Sequence, residues 1–99
     1  MGEREAFGSN LRRIRVQHGV SLDDIVRATK VGGELWAGLE SGNLSRWPAG
    51  IYARSYVRAY AALIGADPEA TVDEFCRLFP IGDRRASRVI RAQAELIGQ

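Results

Sequence analysis

A single cysteine, Cys76, excludes an internal disulfide and fits a reducing compartment. One histidine, one cysteine and scattered carboxylates assemble neither a metal-ligand set nor a Ser-His-Asp or Cys-His arrangement, so no cofactor, metal site or enzymatic activity is expected. Gly32-Gly33-Glu34 is not a phosphate-binding loop, because no strand pattern precedes it and no Lys-Ser/Thr follows. Long apolar runs are missing too. The longest, 59–66 with Tyr60 inside it, is far too short to span a bilayer, and MGEREAFGSN carries no apolar signal segment. The expectation is a soluble, cytoplasmic chain with no membrane span. Lysine is nearly absent: Lys30 is the only one among 14 basic residues. An arginine excess favours planar, bidentate contacts to phosphate or carboxylate, and it is equally the mark of a GC-rich genome.

What is present is enough for one domain. The 99 residues are 45% hydrophobic, so a real core is available. The organising stretch is 21–42, SLDDIVRATKVGGELWAGLESG. Ser21 is a good N-cap, and Asp24 three residues on closes a capping box. Leu22, Ile25, Val26 and Thr29 then share one helical face. Val31 marks a turn, and a second helix from about Gly33 to Glu40 buries Leu35, Trp36 and Leu39 before Gly42 stops it. Two helices this short need other helices to dock on, and a helix-turn-helix is the economical reading.

Around this unit the pattern is helical throughout. Residues 1–6 read as frayed. Phe7, Leu11 and Ile14 form the core stripe of a first helix ending near His18-Gly19, with Arg12, Arg13, Arg15 and Gln17 opposite. His18, at that helix end, has a cap or dipole role. NLSRWPAG at 43–50 is a loop, and a longer helix from about Ile51 to Ile64 follows, stopped by Gly65. Asp67-Pro68 restarts a helix that buries Val72, Phe75, Cys76 and Phe79, and Pro80 ends it. A last helix, from Asp83 to about Ile97, turns Ala86, Val89, Ile90, Ala94 and Ile97 inward.

The residues from Phe7 to Gly42 resemble the Xre-type, lambda-repressor-like helix-turn-helix family: LRRIRVQHG, SLDDIV, TKV, GELWAGLE and a closing Glu40-Ser41-Gly42. The continuation GLESGNLSRWPAGIYARSYVRAYAALIGADPEATVDEF is similar to the RodZ amino-terminal domain family, with its Leu-Glu-x-Gly loop, proline, aromatic-Arg-x-aromatic helix and Gly-x-Asp-Pro. The likeness covers about Phe7 to Phe79. It implies an all-α fold, a compact five-helix lambda-repressor-like domain at 1–80, to which this chain adds a basic amphipathic sixth helix at 81–99. It also implies two functions. Xre-type domains bind operator DNA, usually as dimers; the RodZ domain binds an actin-like filament protein and leads into a membrane span.

On a double-stranded DNA target, the outer positions of the third helix would be Gly32, Gly33, Glu34, Ala37 and Gly38. They hold no Arg for guanine and no Asn or Gln for adenine, and Glu34 accepts only from cytosine N4. Where the family usually has Gln, near the start of the second helix, stands Leu22. Two readings of the glycines stand open, close backbone approach to DNA or a surface that reads nothing. Phosphate contacts are better supplied. No acid occurs from Ser41 to Ala66, where Arg46, Arg54 and Arg58 stand, and Arg12, Arg13, Arg15 and Lys30 add to them. Arg84, Arg88 and Arg91 share a stripe of the last helix, with Arg85 beside it. The DNA-contact set expected is Arg12, Arg13, Lys30, Gly32, Gly33, Glu34, Gly38, Asn43, Arg46, Arg84, Arg85 and Arg88.

A protein partner has two routes in: the basic last helix, or Tyr52, Tyr56 and Tyr60 of the fourth helix if these are exposed. Their spacing is more often that of a core edge. Trp36 reads as core, Trp47 as a plug between the helix-turn-helix and the fourth helix, and Cys76 as a buried apolar residue. The sequence ranks first a small bacterial DNA-binding transcription regulator, acting with a co-binding protein or as a dimer. Second stands a RodZ-like adaptor for an actin-like cytoskeletal filament protein.

Overall fold

The computed structural model describes residues 2–80, and within them the chain is all helical: α1 (Glu3–Gln17), α2 (Leu22–Thr29), α3 (Gly33–Ser41), α4 (Ile51–Ile64) and α5 (Pro68–Leu78). The expected sixth helix lies outside the described residues.

The helix boundaries follow local chemistry. The Ser21 hydroxyl accepts from the Asp24 N–H at 3.0 Å, and the Asp24 carboxylate accepts from the Ser21 N–H at 2.9 Å, closing the box that begins α2. Those bonds hold the Asp24 carboxyl below its ordinary range. Asp67 caps α5 by accepting from the Ala70 N–H at 3.1 Å, with Pro68 in the first turn. Gly42 and Gly65 end α3 and α4 in the left-handed region, at φ 81° and 83°. The start of the chain departs from expectation, since α1 begins at Glu3 where fraying was expected. The Arg4 Nε donates to the Leu78 carbonyl at 2.8 Å and the guanidinium sits 5.3 Å from the centre of the Phe79 ring, which ties the first turn to the end of α5.

The core is aromatic. Trp36 is fully buried, stacked on Tyr60 at 5.6 Å and met edge-on by Trp47 at 5.7 Å. Trp47 continues to Phe75 at 5.9 Å, and Phe75 to Phe79 at 5.1 Å, with Phe7 of α1 against both phenylalanines. Trp47 also meets Tyr56 at 5.9 Å, so it joins the helix-turn-helix to α4, as its position in the loop predicts, and to α5 as well. Its indole N–H donates to the Leu35 carbonyl at 2.7 Å and that of Trp36 to the Val31 carbonyl at 3.2 Å, so neither indole is buried unpaired. Leu35 and Cys76 are half-buried, less deep than expected.

Candidate functional site

The outer side of α3 is the first surface to consider. Gly32 is its N-cap, Gly33 its first residue, and Lys30 caps the end of α2 in the left-handed region at φ 63°. Glu34, Ala37 and Ser41 are exposed. A Cβ at Gly38 would lie 2.4 Å from the Asn43 carbonyl oxygen, so its missing side chain makes room for the protein's own loop. The loop returning over α3 forms a shallow groove of about 380 Å3 lined by Glu34, Gly38, Ser41, Asn43, Ser45 and Arg46, among others. Within it Asn43 Oδ1 accepts from the Ser45 N–H at 3.2 Å. Of the expected DNA-contact set, Glu34, Gly38, Asn43 and Arg46 therefore meet in one place.

The other arginines do not form a frame around that groove. Arg12 and Arg13 line a separate patch on α1 with Ser9, Val16 and Gln17, and Arg13 donates to the Asn10 side chain. Arg58 donates to Glu69 at 2.8 Å across to α5. Arg15, expected on the outer face of α1, is buried. Its Nε and Nη2 grip both oxygens of Glu40 at 2.7 and 3.1 Å, and its Nη1 donates to the Val20 carbonyl at 2.9 Å. The fully buried Tyr60 hydroxyl donates to the same Glu40 carboxylate. α1, α3 and α4 thus meet at one carboxylate. Arg84, Arg85 and Arg88 lie outside the described residues.

This hub makes stability depend on alkaline pH. Burial, followed by the hydrogen bond to Glu40 and that group's charge, pushes the Tyr60 phenol well above its ordinary value of 10.0, against the pull of Arg15. A raised value in the folded state means that the stabilisation is complete below pH 10 and is lost as the pH rises past it. We expect urea-unfolding stability to fall above about pH 10 by up to about 1.4 kcal/mol per pH unit, one proton's worth. Tyr60→Phe, which has no proton to lose, should remove that slope; an unchanged slope would refute the assignment.

The second surface is on α4. Tyr52, Tyr56, Ala59 and Leu63, at i, i+4, i+7 and i+11, stay within one stripe. Tyr60 leaves it, because each i+4 step drifts about 40° and two carry it into the core. Tyr52 is 65% exposed and its neighbour Ile51 64%, the two most exposed large hydrophobic side chains among the described residues. Farther along, Tyr56, Ala59 and Leu63 line one wall of a groove of about 390 Å3 whose other wall is Ala28, Thr29 and Val31, with Trp36 among its lining residues. The sequence reading missed Ala59 and this facing wall, since nothing local links α2 to α4. It also missed Arg15, Glu40 and Tyr60 as a unit, although the Glu40-x-Gly42 motif was the available signal.

Comparison with known proteins places the geometry in context. A family model for a helix-turn-helix domain matches residues 10–71. The chain is similar to the cytoskeleton protein RodZ of Streptococcus pneumoniae (strain ATCC BAA-255 / R6), with 25% identity over 72 residues that cover 73% of this chain and 26% of that protein. It is also similar to the uncharacterized membrane protein YmfM of Bacillus subtilis (strain 168), with 33% identity over 61 residues, 62% of this chain and 21% of that protein. It therefore spans about a quarter of the length of these relatives. No solved structure gives a significant match. No described helix is long and apolar enough to cross a membrane.

Proposed function

The chain belongs to the helix-turn-helix domain family, and from that premise we propose that it is a protein-docking adaptor that engages its partner through the outer stripe of α4. The observation that carries this reading is the run of Tyr52, Tyr56, Ala59 and Leu63, with Ile51 beside it, on a helix that bears no acid. An exposed aromatic, Tyr52, and a half-buried one, Tyr56, beside an apolar groove are of the kind a protein interface concentrates. The RodZ-like pattern supports an actin-like cytoskeletal filament protein as the partner class. The outer side of α3 supports the same choice by what it withholds, for it presents Gly, Glu and Ala where base edges call for Arg, Asn or Gln. Arg15 and Arg58, counted toward phosphate contacts, are engaged with Glu40 and Glu69.

A second reading, a DNA-binding regulator, is supported by one feature. The groove beside α3 gathers Arg46, Asn43, Ser41 and Ser45, side chains suited to phosphate oxygens, along with Glu34. In that reading Arg12, Arg13, Lys30, Arg84, Arg85 and Arg88 would hold the duplex without specifying sequence, and a dimer or co-binding protein would supply selectivity.

The test pairs two assays on the full chain. In co-sedimentation with a purified, polymerised actin-like filament protein, Tyr52→Ala should weaken binding about 30-fold, the loss of a hot-spot aromatic worth roughly 2 kcal/mol. Arg46→Ala should leave it unchanged. The adaptor reading fails if filaments do not bind while promoter DNA is bound selectively, in a way that Arg46→Ala abolishes and Tyr52→Ala does not.

A further inference from the structure

We propose that α4 is a self-pairing surface: two copies of this chain dock α4 against α4, antiparallel, about a two-fold axis level with Val57. The exposed face of the helix is its own complement in spacing, size and charge.

Spacing comes first. Ile51, Tyr52, Ser55, Ala62 and Leu63 are the exposed residues of α4, and half-buried Ala59 lies among them on the same half of the helix. The set is symmetric about position 57. Ile51 and Leu63 stand six residues either side of it, Tyr52 and Ala62 five, Ser55 and Ala59 two. A two-fold contact requires that when one residue meets another, the second also meets the first. An antiparallel pair centred at 57 satisfies this for every member of the set.

Size agrees with spacing. Ser55 and Ala59 cross at the centre, where small side chains let two helices approach to about 8 Å. At either end the bulky Ile51 and Tyr52 of one copy oppose Ala62 and Leu63 of the other. At about 100° per residue, Tyr52 and Leu63 lean to the side of α2, and Ile51 and Ala62 to the other side. The two-fold rotation preserves those sides. Tyr52 of the second copy therefore comes to Leu63, at the mouth of the groove that Ala59 and Ala28 also line, and its Ile51 comes to Ala62. A parallel pair would set Tyr52 on Tyr52 and Ile51 on Ile51, holding the helices apart at that end.

No charge opposes the contact. None of the six residues is charged at neutral pH, and α4 bears no acid. Arg58, beside this face near the axis, is bound to Glu69 at 2.8 Å, so each copy brings a counter-charge. Antiparallel alignment also sets the two helix dipoles against each other. Area decides the strength. Ile51 and Tyr52 are 64% and 65% exposed and Leu63 39%. With the small residues between them they offer roughly 400 Å2 per copy, half of what a standard interface buries, so the pair is weak and reversible. Under the proposed function the second copy and the filament protein compete for one stripe, and the free chain is the docking form. That consequence rests on the adaptor reading; the pairing itself does not.

The experiment uses the full chain. Sedimentation equilibrium from about 10 μM to about 1 mM should show monomer passing to dimer. Ser55→Arg places a bulky charge at the centre of the contact and should weaken the dimer about tenfold or more. Gln17→Arg, at an exposed position of α1, should leave it unchanged. Orientation is read from disulfide formation in Cys76→Ala chains that carry one new cysteine each, which also decides the matter should Ser55→Arg perturb folding. In an equimolar mixture of Ile51→Cys and Ala62→Cys chains, the mixed disulfide should exceed either homodisulfide about tenfold. The mixed pair has its Cα atoms within the ~7 Å that a disulfide needs, whereas like positions lie roughly 15 Å or more apart along the axis. A chain that stays monomeric to about 1 mM would overturn the proposal. A dimer indifferent to Ser55→Arg, or homodisulfides as abundant as the mixed one, would do the same. None of these readouts involves a filament, so the adaptor reading can fail in co-sedimentation while the pairing stands, and the reverse.

Discussion

Glu40→Ala is expected to cost about 3–5 kcal/mol of folding stability, the usual penalty for removing one side of a buried ion pair. The side chains concerned are 11% exposed for Arg15 and 7% for Glu40, so water does not replace the missing carboxylate. Three donors, Arg15 Nε, Arg15 Nη2 and the Tyr60 hydroxyl, lose their acceptor together. A domain of this size has a total stability near the lower end of roughly 5–15 kcal/mol, so the variant stands close to the unfolding threshold. In thermal melts the drop should be at least about 12 °C. The companion variant separates a missing charge from a missing volume. Arg15→Met with Glu40→Leu removes both charges and should recover a large part of the loss, since a buried pair contributes little beyond its hydrophobic equivalent. If Glu40→Ala melts within about 1 kcal/mol of the parent, the carboxylate is not the junction of α1, α3 and α4 described here.

Gly8→Ala is the second large effect, and it has the opposite sign from helix propensity. In the interior of α1 that change would ordinarily gain up to about 1 kcal/mol. Here the new Cβ would lie 2.5 Å from the Glu40 carbonyl oxygen and 2.6 Å from the Leu39 oxygen. Both are backbone atoms of α3 that cannot rotate aside, so α1 must back away along the seam that also carries Arg15 and Glu40. Overpacking of this kind costs roughly 1–3 kcal/mol, and the loosened ion pair puts the expected loss at about 2–3 kcal/mol. Gly33→Ala is the control: its Cβ would meet only Val26 Cγ2, at an ordinary 3.7 Å, and the variant should be neutral or slightly stabilised. Urea unfolding of the three chains ranks them. Equal stability of Gly8→Ala and Gly33→Ala would mean that α1 and α3 do not pack as closely as described.

The same residues show where reading the chain succeeded. The Ser21-Asp24 box, the Asp67-Pro68 start and the glycine stops at Gly42 and Gly65 are each decided within about four residues, and all four stand where the sequence puts them. Trp36 and Trp47 were legible as core from their places, Trp36 where the resembling family has a buried aliphatic and Trp47 beside Pro48 in the connecting loop. Arg15 was not legible. Its position, i+4 from Leu11, belongs to the buried stripe, but a guanidinium there reads as a surface residue until a partner is known. That partner is 25 positions away.

By itself, then, the sequence determined the number of helices within 2–80, their boundaries apart from the start of α1, and most of their apolar faces, because these depend on hydrogen bonds and side-chain periodicity inside a single turn or two. Tertiary structure alone decided which arginines are spent inside, that Gly38 makes room for the Asn43 carbonyl, and that Tyr60 is buried while Tyr52 is exposed. Those outcomes depend on which helix faces meet. Meeting faces are chosen by packing across segments far apart in the chain, for which no local pattern carries a signal.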